Sequence, residues 1–394
     1  MADLLPVADA QRRLFALAPT LAVESVPLRE AAGRWAAAPV TATRTQPEQP
    51  LSAMDGYAIR FADLPGPWDV IGESAAGRAF AGNVAAHQAV RIFTGAALPQ
   101  GTDTVLVQEE ARREGDRLHL DGEGPAFEGR NVRAAGLDFR TDDLLIAPGE
   151  RLTPARIALA AEAAHAALPV RRRIRIAIAA TGDELRAPGA TLAPGQLPES
   201  NGAMLAALLA ELPVEIEDLG ILPDRHDALE AAFAAVTADI LVTTGGASVG
   251  DHDLVRPALL SAGAGLDFWK VAVRPGKPMM AGRLGDTVVL GLPGNPVSAF
   301  VTAQLFLLPL VAQLSGAADP LPRPRTATLA EPLPANGPRA DYMRALDQDG
   351  RVAAAAIQDS SMLRTLARAN CLIVRPPHAP AANPGDSVEI LDLA

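Results

Sequence analysis

The chain has 394 residues, a length that calls for two to four separate cores rather than one. Hydrophobic residues make up 49% and charged residues 21%, which excludes a disordered chain and points to a globular, soluble one. The formal net charge of −11 excludes a broad positive field for nucleic acid or an anionic membrane, so an anionic ligand needs a local cluster of donors.

Residues 2–37 read as a helix, a break and a second short helix. Asp3 or Asp9 could cap, and Leu14, Leu17 and Leu21 give the apolar stripe. From Pro47 to about Gly129, short runs (GYAIRF, WDVIGES, AVRIFTG, TDTVLVQEE, RLHLDG) alternate with Gly and Pro turns, the pattern of a small β module. Residues 130–168 are mixed and end in a helix, with Thr153 as N-cap and Pro154 at its first position.

Residues 170–316 change rhythm. RIRIAIAA reads as a buried strand, and SNGAMLAALLAEL as a helix capped by Ser200 or Asn201, with Met204, Leu205, Leu208, Leu209 and Leu212 on one face. VEIEDLGIL, DILVTTGG, LDFWKVAV and DTVVLGLPG read as strands. RHDALEAAFAAV, HDLVRPALLSAG and NPVSAFVTAQLFLLPLVAQL read as helices. The alternation predicts a doubly wound α/β domain with a mostly parallel sheet. DPLPR at 319–323 reads as a linker. The tail is β again, with a turn at Asp349-Gly350, and forms a small barrel or sandwich.

Cys371, the single cysteine, excludes an intramolecular disulfide and sits in NCLIVR, so it reads as a core thiol. The six histidines show no zinc-ligand spacing. Arg171, Arg172, Arg173 and Arg175 read as a solvated strand start. The N-terminus has no signal-peptide pattern and no stretch reads as a membrane span, so a cytoplasmic protein is expected.

Three strands of the α/β segment end in glycine-rich or acidic turns: Thr181-Gly182-Asp183-Glu184, Thr243 to Gly250 with Gly245, Gly246 and Ser248, and Pro293-Gly294-Asn295-Pro296 before a helix. Ligands of open parallel sheets bind outside the carboxyl ends of the strands, where glycines admit backbone N–H groups and a helix start favours an anion. Asp183, Glu184, Asp224, Asp251 and Asp253 surround this crevice. They suit Mg²⁺, and Asp224 and Asp251 are equally readable as helix caps. Lys270, Arg274 and Lys277 supply cations. Alternation along one strand would put Lys270 and Arg274 on a single face.

SAMDGYA (52–58), RIFTGA (91–96), TGDEL (181–185), TTGGASVGDHD (243–253), RPGKP (274–278) and GLPGNPVSAF (291–300) together resemble the molybdopterin molybdenumtransferase family, which includes the E domain of gephyrin. The resemblance runs from about residue 6 to the C-terminus. It implies an elongated homodimer of four-part protomers: 1–40 with 129–168 as a mixed dimerisation domain, 41–128 as the inserted β module, 169–316 as the molybdopterin-binding domain and 317–394 as a C-terminal β-barrel. It also implies a site between one subunit's α/β domain and parts of the other. Asp55 and Thr94 would enter from the β module of the partner. Glu184, Asp224 and Asp253 would be the working carboxylates and metal ligands. Gly245, Gly246, Ser248, Lys270, Arg274, Pro293, Gly294, Asn295 and Pro296 would bind substrate, joined by Asp138, Arg339 and Ser360. Four places depart from the family pattern: Asp138 lies in an altered motif, Arg274 stands where Lys is usual, Asp359 and Ser361 flank Ser360 in place of a glycine, and Glu199 stands where Asp is common.

The implied reaction inserts molybdate into adenylyl-molybdopterin and releases AMP with Mg²⁺, with the molybdopterin adenylyltransferase as upstream partner. The pterin dithiolene would supply the soft ligands that a cysteine-poor chain lacks. The alternatives are the adenylyltransferase reaction itself, a scaffold of the gephyrin type and an anion-binding module without turnover.

Overall fold

Ile174–Thr181, β-branched and almost uncharged, lies inside a six-stranded sheet in the computed structural model, which describes residues 4–246 and 254–393. Val214–Leu222 and Ile240–Thr244 flank it in parallel, and Thr287–Leu292 extends the parallel set. Met280–Leu284 and Gly265–Trp269 complete the far edge, each antiparallel to its neighbour. The period of two sorts the side chains. Ile174, Ile176, Ile178, Ile240, Val242, Val288 and Leu290 pack under the helices Asn201–Leu209 and 296–314. Ala177, Leu241 and Val289 pack under His226–Ala234 and Val255–Ser261. Helices therefore cover both faces, as a doubly wound domain requires.

Several details correct the sequence reading. Neither Ser200 nor Asn201 caps the helix Asn201–Leu209 through its side chain. The Glu199 carboxylate accepts from the Gly202 N–H at 2.8 Å, and the Asn201 amide is used elsewhere. LDFWKVAV is not one strand. The chain leaves the sheet at Lys270, whose φ is +90°, and Val273–Arg274 pairs in parallel with Ala340–Asp341 of the C-terminal sheet. Lys270 and Arg274 therefore do not share the face of a strand. Arg171 and Arg172 are not a solvated strand start. Arg171 donates to the Leu21 carbonyl, and Arg172 grips Asp239 with two bonds of 2.7 Å.

Residues 296–314 form one helix that is long and apolar enough to cross a bilayer, with mean hydropathy 1.8, contrary to the expectation that no such stretch exists. Of its apolar window, 72% is buried, because a helix between a sheet and other helices is apolar all round. Ala303–Leu307 widens into a π turn. Pro309 has no N–H for the Leu305 carbonyl four residues earlier. The buried Gln11 side chain supplies that donor at 2.8 Å. Gln11→Leu is expected to cost about 1–3 kcal/mol through the orphaned carbonyl, read as a lower denaturation midpoint at unchanged slope. An unchanged midpoint would contradict this.

At the N-terminal end, Val7–Leu17 begins after Pro6 without a side-chain cap, and Asp9 pairs with Arg12 instead. Asp3 lies outside the described residues. A strand that the pattern did not reveal, Val23–Pro27, pairs antiparallel with Ala167–Arg171. One cluster gathers Val26, Ala31 and Val40 with Ile146, Leu152, Ala160 and Val170, across more than 100 residues of intervening chain. Thr153 caps Pro154–Glu162 as expected, accepting from the Arg156 N–H.

The runs between 56 and 120 form a six-stranded sheet around Tyr57, Ile59, Trp68, Leu106 and Leu118. In the tail, Ala340–Gln348 pairs with both Arg351–Ala354 and Cys371–Arg375, which closes five strands into a barrel. The turn Asp349-Gly350 has φ values of +52° and +81°, the left-handed pair that a two-residue hairpin demands. Cys371 is fully buried in this barrel, and burial pushes its thiol up to about 11, so it is a core residue.

Candidate active site

The turns that end three parallel strands meet. Gly245 has a φ of +90°, and a Cβ placed on it would lie 2.5 Å from the Thr181 carbonyl oxygen. A Cβ on Gly294 would lie 3.3 Å from the Gly245 Cα. Asn201 donates from its side chain to the Gly294 carbonyl at 2.8 Å. The turns after 180, 242 and 290 therefore share one rim at the carboxyl ends of the strands. Glycine at 245 is required both by its backbone conformation and by the closeness of the neighbouring turn.

Acidic groups gather on one side of the rim. Gly182 lets the chain curl so tightly that a Cβ there would fall 2.7 Å from a Glu184 carboxylate oxygen. The Asp183 carboxylate accepts from the Asp224 N–H at 3.1 Å. Burial raises the Asp224 pKa, and the negative charges of Asp183 and Glu184 raise it further. Asp224 makes no capping bond to the helix that follows, so its alternative reading as a cap does not hold. Hard oxygens crowded against their own repulsion are a donor set that a divalent cation relieves. Among the described residues no three such groups are arranged as a preformed metal cage. The set fits an ion held by one or two carboxylates and by substrate. Asp253 and Ser248, and with them Asp251, lie outside the described residues.

The other side is built from the helix start and the barrel. Pro296 opens the helix at 296–314, and Asn295, in the cap position, sends its amide to the Ser360 hydroxyl at 3.1 Å. The Ser360 carbonyl accepts from the Val297 N–H at 3.1 Å. Pro293 and Gly294 complete this turn. Arg344, which sequence reasoning missed, lies beneath it. Its side chain is fully buried and donates from Nη2 to the carbonyls of Ile357 and Asp359, at 3.2 and 3.1 Å. Gln358 closes the same loop onto the Arg344 backbone. Among the described residues, Arg344 Nε and Nη1 are buried without a partner. Burial lowers its pKa, against the pull of Asp341 and Asp359. An arginine on the inward register of DYMRALD was the available signal.

The remaining cations are placed differently. Arg274 is committed to the buried Asp341 through Nε and Nη2. Arg339 reaches the Val273 carbonyl at 3.4 Å. Both brace the chain crossing into the barrel. Lys270 stands over the Trp269 ring at 4.6 Å.

Asp55 forms a separate unit in the β module. The Thr94 N–H and hydroxyl both donate to one Asp55 oxygen, at 2.7 and 2.8 Å. These bonds, helped by Arg91, lower the pKa of the exposed carboxylate. Arg91, a second residue that sequence reasoning missed, donates to the Gly56 carbonyl at 3.0 Å and lies over the Tyr57 and Phe93 rings. Gly56 packs so closely on Leu106 that a Cβ would overlap its carbonyl. Among the described residues, no hydrogen bond, ion pair or hydrophobic cluster joins this module to the α/β crevice of the same chain. Asp138 is exposed and pairs through its backbone with Gln46, apart from both units.

The comparisons with known proteins cover the same regions. Residues 5–164 match the model for the MoeA N-terminal region (domain I and II). Residues 177–313 match a probable molybdopterin binding domain, and 326–393 the MoeA C-terminal region (domain IV). A molybdopterin molybdenumtransferase of Haemophilus influenzae is 35% identical, over 93% of each chain. One of Bacillus subtilis is 32% identical, over 98% of this chain and 94% of its own. The crystal structure of the molybdopterin biosynthesis moeA protein from Pyrococcus horikoshii OT3 superposes with a TM-score of 0.85 at 26% identity, over 99% of this chain and 100% of that one. With relatives this similar over nearly its whole length, the chain belongs to the molybdopterin molybdenumtransferase family.

Proposed function

We propose that the chain inserts molybdate into adenylyl-molybdopterin and releases AMP, working as a homodimer in the cytoplasm and taking its substrate from a molybdopterin adenylyltransferase. The observation that carries this reading is the meeting of three strand-end turns, with carboxylates on one side and the Ser360–Asn295 contact on the other. The glycine turns and the helix start offer N–H donors to oxyanions, with Lys270 adding charge. Ser360 and Asn295 fix the wall opposite the carboxylates. Glu184 and Asp224 would hold Mg²⁺, which when bound supplies charge neutralisation at the phosphoanhydride. Asp55 and Thr94 of the partner subunit would close the crevice and orient substrate, since neither reaches it within one chain. Gly245→Ala is expected to lower turnover by about 100-fold, because the turn must move by an ångström or more. Turnover within threefold of the parent would contradict that.

The reaction is tested by incubating the purified protein with adenylyl-molybdopterin, molybdate and Mg²⁺, following AMP and active cofactor together. Equal amounts of both, abolished by chelating Mg²⁺, are expected. AMP without active cofactor, or neither product, would overturn the reading.

A further inference from the structure

At the edge of the crevice one indole carries two cations. The Arg256 guanidinium lies 5.1 Å from the Trp269 ring centroid and the Lys270 ammonium 4.6 Å from it, so the two stand no more than about 10 Å apart. Both belong to the rim. Gly265–Trp269 is antiparallel to Met280–Leu284, itself antiparallel to Thr287–Leu292, so Trp269 ends at the same end of the sheet as Thr244 and Leu292. Arg256 arrives from the other side of the glycine turn. A Cβ on Gly246 would fall 2.2 Å from a methyl of Val255, the residue before it.

Two further facts set this group apart. Lys270 has a φ of +90°, a conformation costly for a lysine, and is held there by bonds from its N–H to Met279 and from Leu5 to its carbonyl. Backbone strain of this kind collects at functional sites. Among the described residues neither Arg256 nor Lys270 forms an ion pair with an acid, although the chain carries a net charge of −11. Two like charges gathered by a ring rather than by a carboxylate remain available to an anion. Two cations within about 10 Å of each other can engage two linked phosphoryl groups together.

We infer that Arg256 and Lys270 form a two-cation clamp for the phosphoanhydride of a nucleotide-bearing substrate, with Trp269 as the positioning residue that sets their spacing. This rests on the function proposed above. Arg256 binds one phosphoryl group directly, and Trp269 acts through the two cations.

Calorimetric titration of the intact protein with ADP and with AMP tests the clamp, using Arg256→Ala, Arg256→Lys, Trp269→Phe and Trp269→Leu. Arg256→Ala should weaken ADP about tenfold and AMP less than threefold, as the loss of one charge-assisted contact implies. Arg256→Lys and Trp269→Phe should restore most of the ADP affinity. Trp269→Leu should resemble Arg256→Ala, and the double variant should be little worse than either. ADP binding unchanged in Arg256→Ala, or lost equally for AMP, would overturn the clamp alone. Normal ADP binding in Trp269→Leu would overturn the positioning role. A parent protein that binds neither nucleotide would overturn the proposed function, and the clamp with it.

Discussion

Asp55→Ala is expected to reduce cofactor assembly by about 100-fold or more while leaving the fold unchanged. The Asp55 carboxylate is exposed, so its removal opens no buried cavity. What it does lose is a carboxylate whose ionised form is favoured by two bonds from Thr94. Asp55→Asn separates charge from shape. An asparagine oxygen can still accept from Thr94, which keeps the loop, but the negative charge is gone. If the charge orients substrate, Asp55→Asn is as inactive as Asp55→Ala. If only the loop matters, Asp55→Asn works nearly as well as the parent. Because the carboxylate pKa is lowered, Asp55 stays ionised as pH falls through the ordinary carboxylate range, so acid loss of activity should arise elsewhere. Unfolding curves of both variants should overlay that of the parent.

Arg344→Met is expected to have the second-largest effect. The guanidinium is wholly buried and holds the carbonyls of Ile357 and Asp359, which flank Gln358 and lead into Ser360. Methionine fills the volume without a charge, and the loop carrying Ser360 loses its anchor. Turnover should fall by about 10- to 100-fold, as for a misplaced wall of the site. Removing one partner from a buried charged network is strongly destabilising, about 3–5 kcal/mol, where carboxylates stay behind. Asp341 keeps Arg274 as its partner, which should hold the cost below that range. Arg344→Lys keeps charge but cannot span both carbonyls, so it should restore stability more than turnover. A fully active Arg344→Met enzyme would remove Arg344 from the site.

Much of the fold could be read because its local chemistry repeats the global arrangement. Ile174–Thr181 alternates between two helix layers, Thr153-Pro154 starts a helix, and Asp349-Gly350 makes a hairpin. The strand Val23–Pro27 escaped because four of its five side chains face solvent, leaving no alternation to see. The exit of the chain at Lys270 escaped because the apolar rhythm of LDFWKVAV runs on across a left-handed residue that no glycine marks. At the site, the three turns were legible as strand ends followed by glycine or proline. Arg344 was not, since Arg339 and Arg344 lie five residues apart in one segment and only burial distinguishes the anchor from the brace. The proposed meeting of Asp55 with a partner's crevice leaves no pattern in the sequence of one chain.

Mixing two inactive proteins tests that meeting most directly. Asp55→Ala and Glu184→Ala protomers, dissociated and reassociated in equal amounts, should form mixed dimers as half of the population, each with one site whose two sides are intact. If Asp55 serves the opposite subunit's crevice, the mixture should regain about a quarter of the parent's cofactor assembly. If the mixture stays as inactive as its components while mixed dimers demonstrably form, Asp55 does not complete a site built from the Gly245, Gly294 and Glu184 turns of its partner.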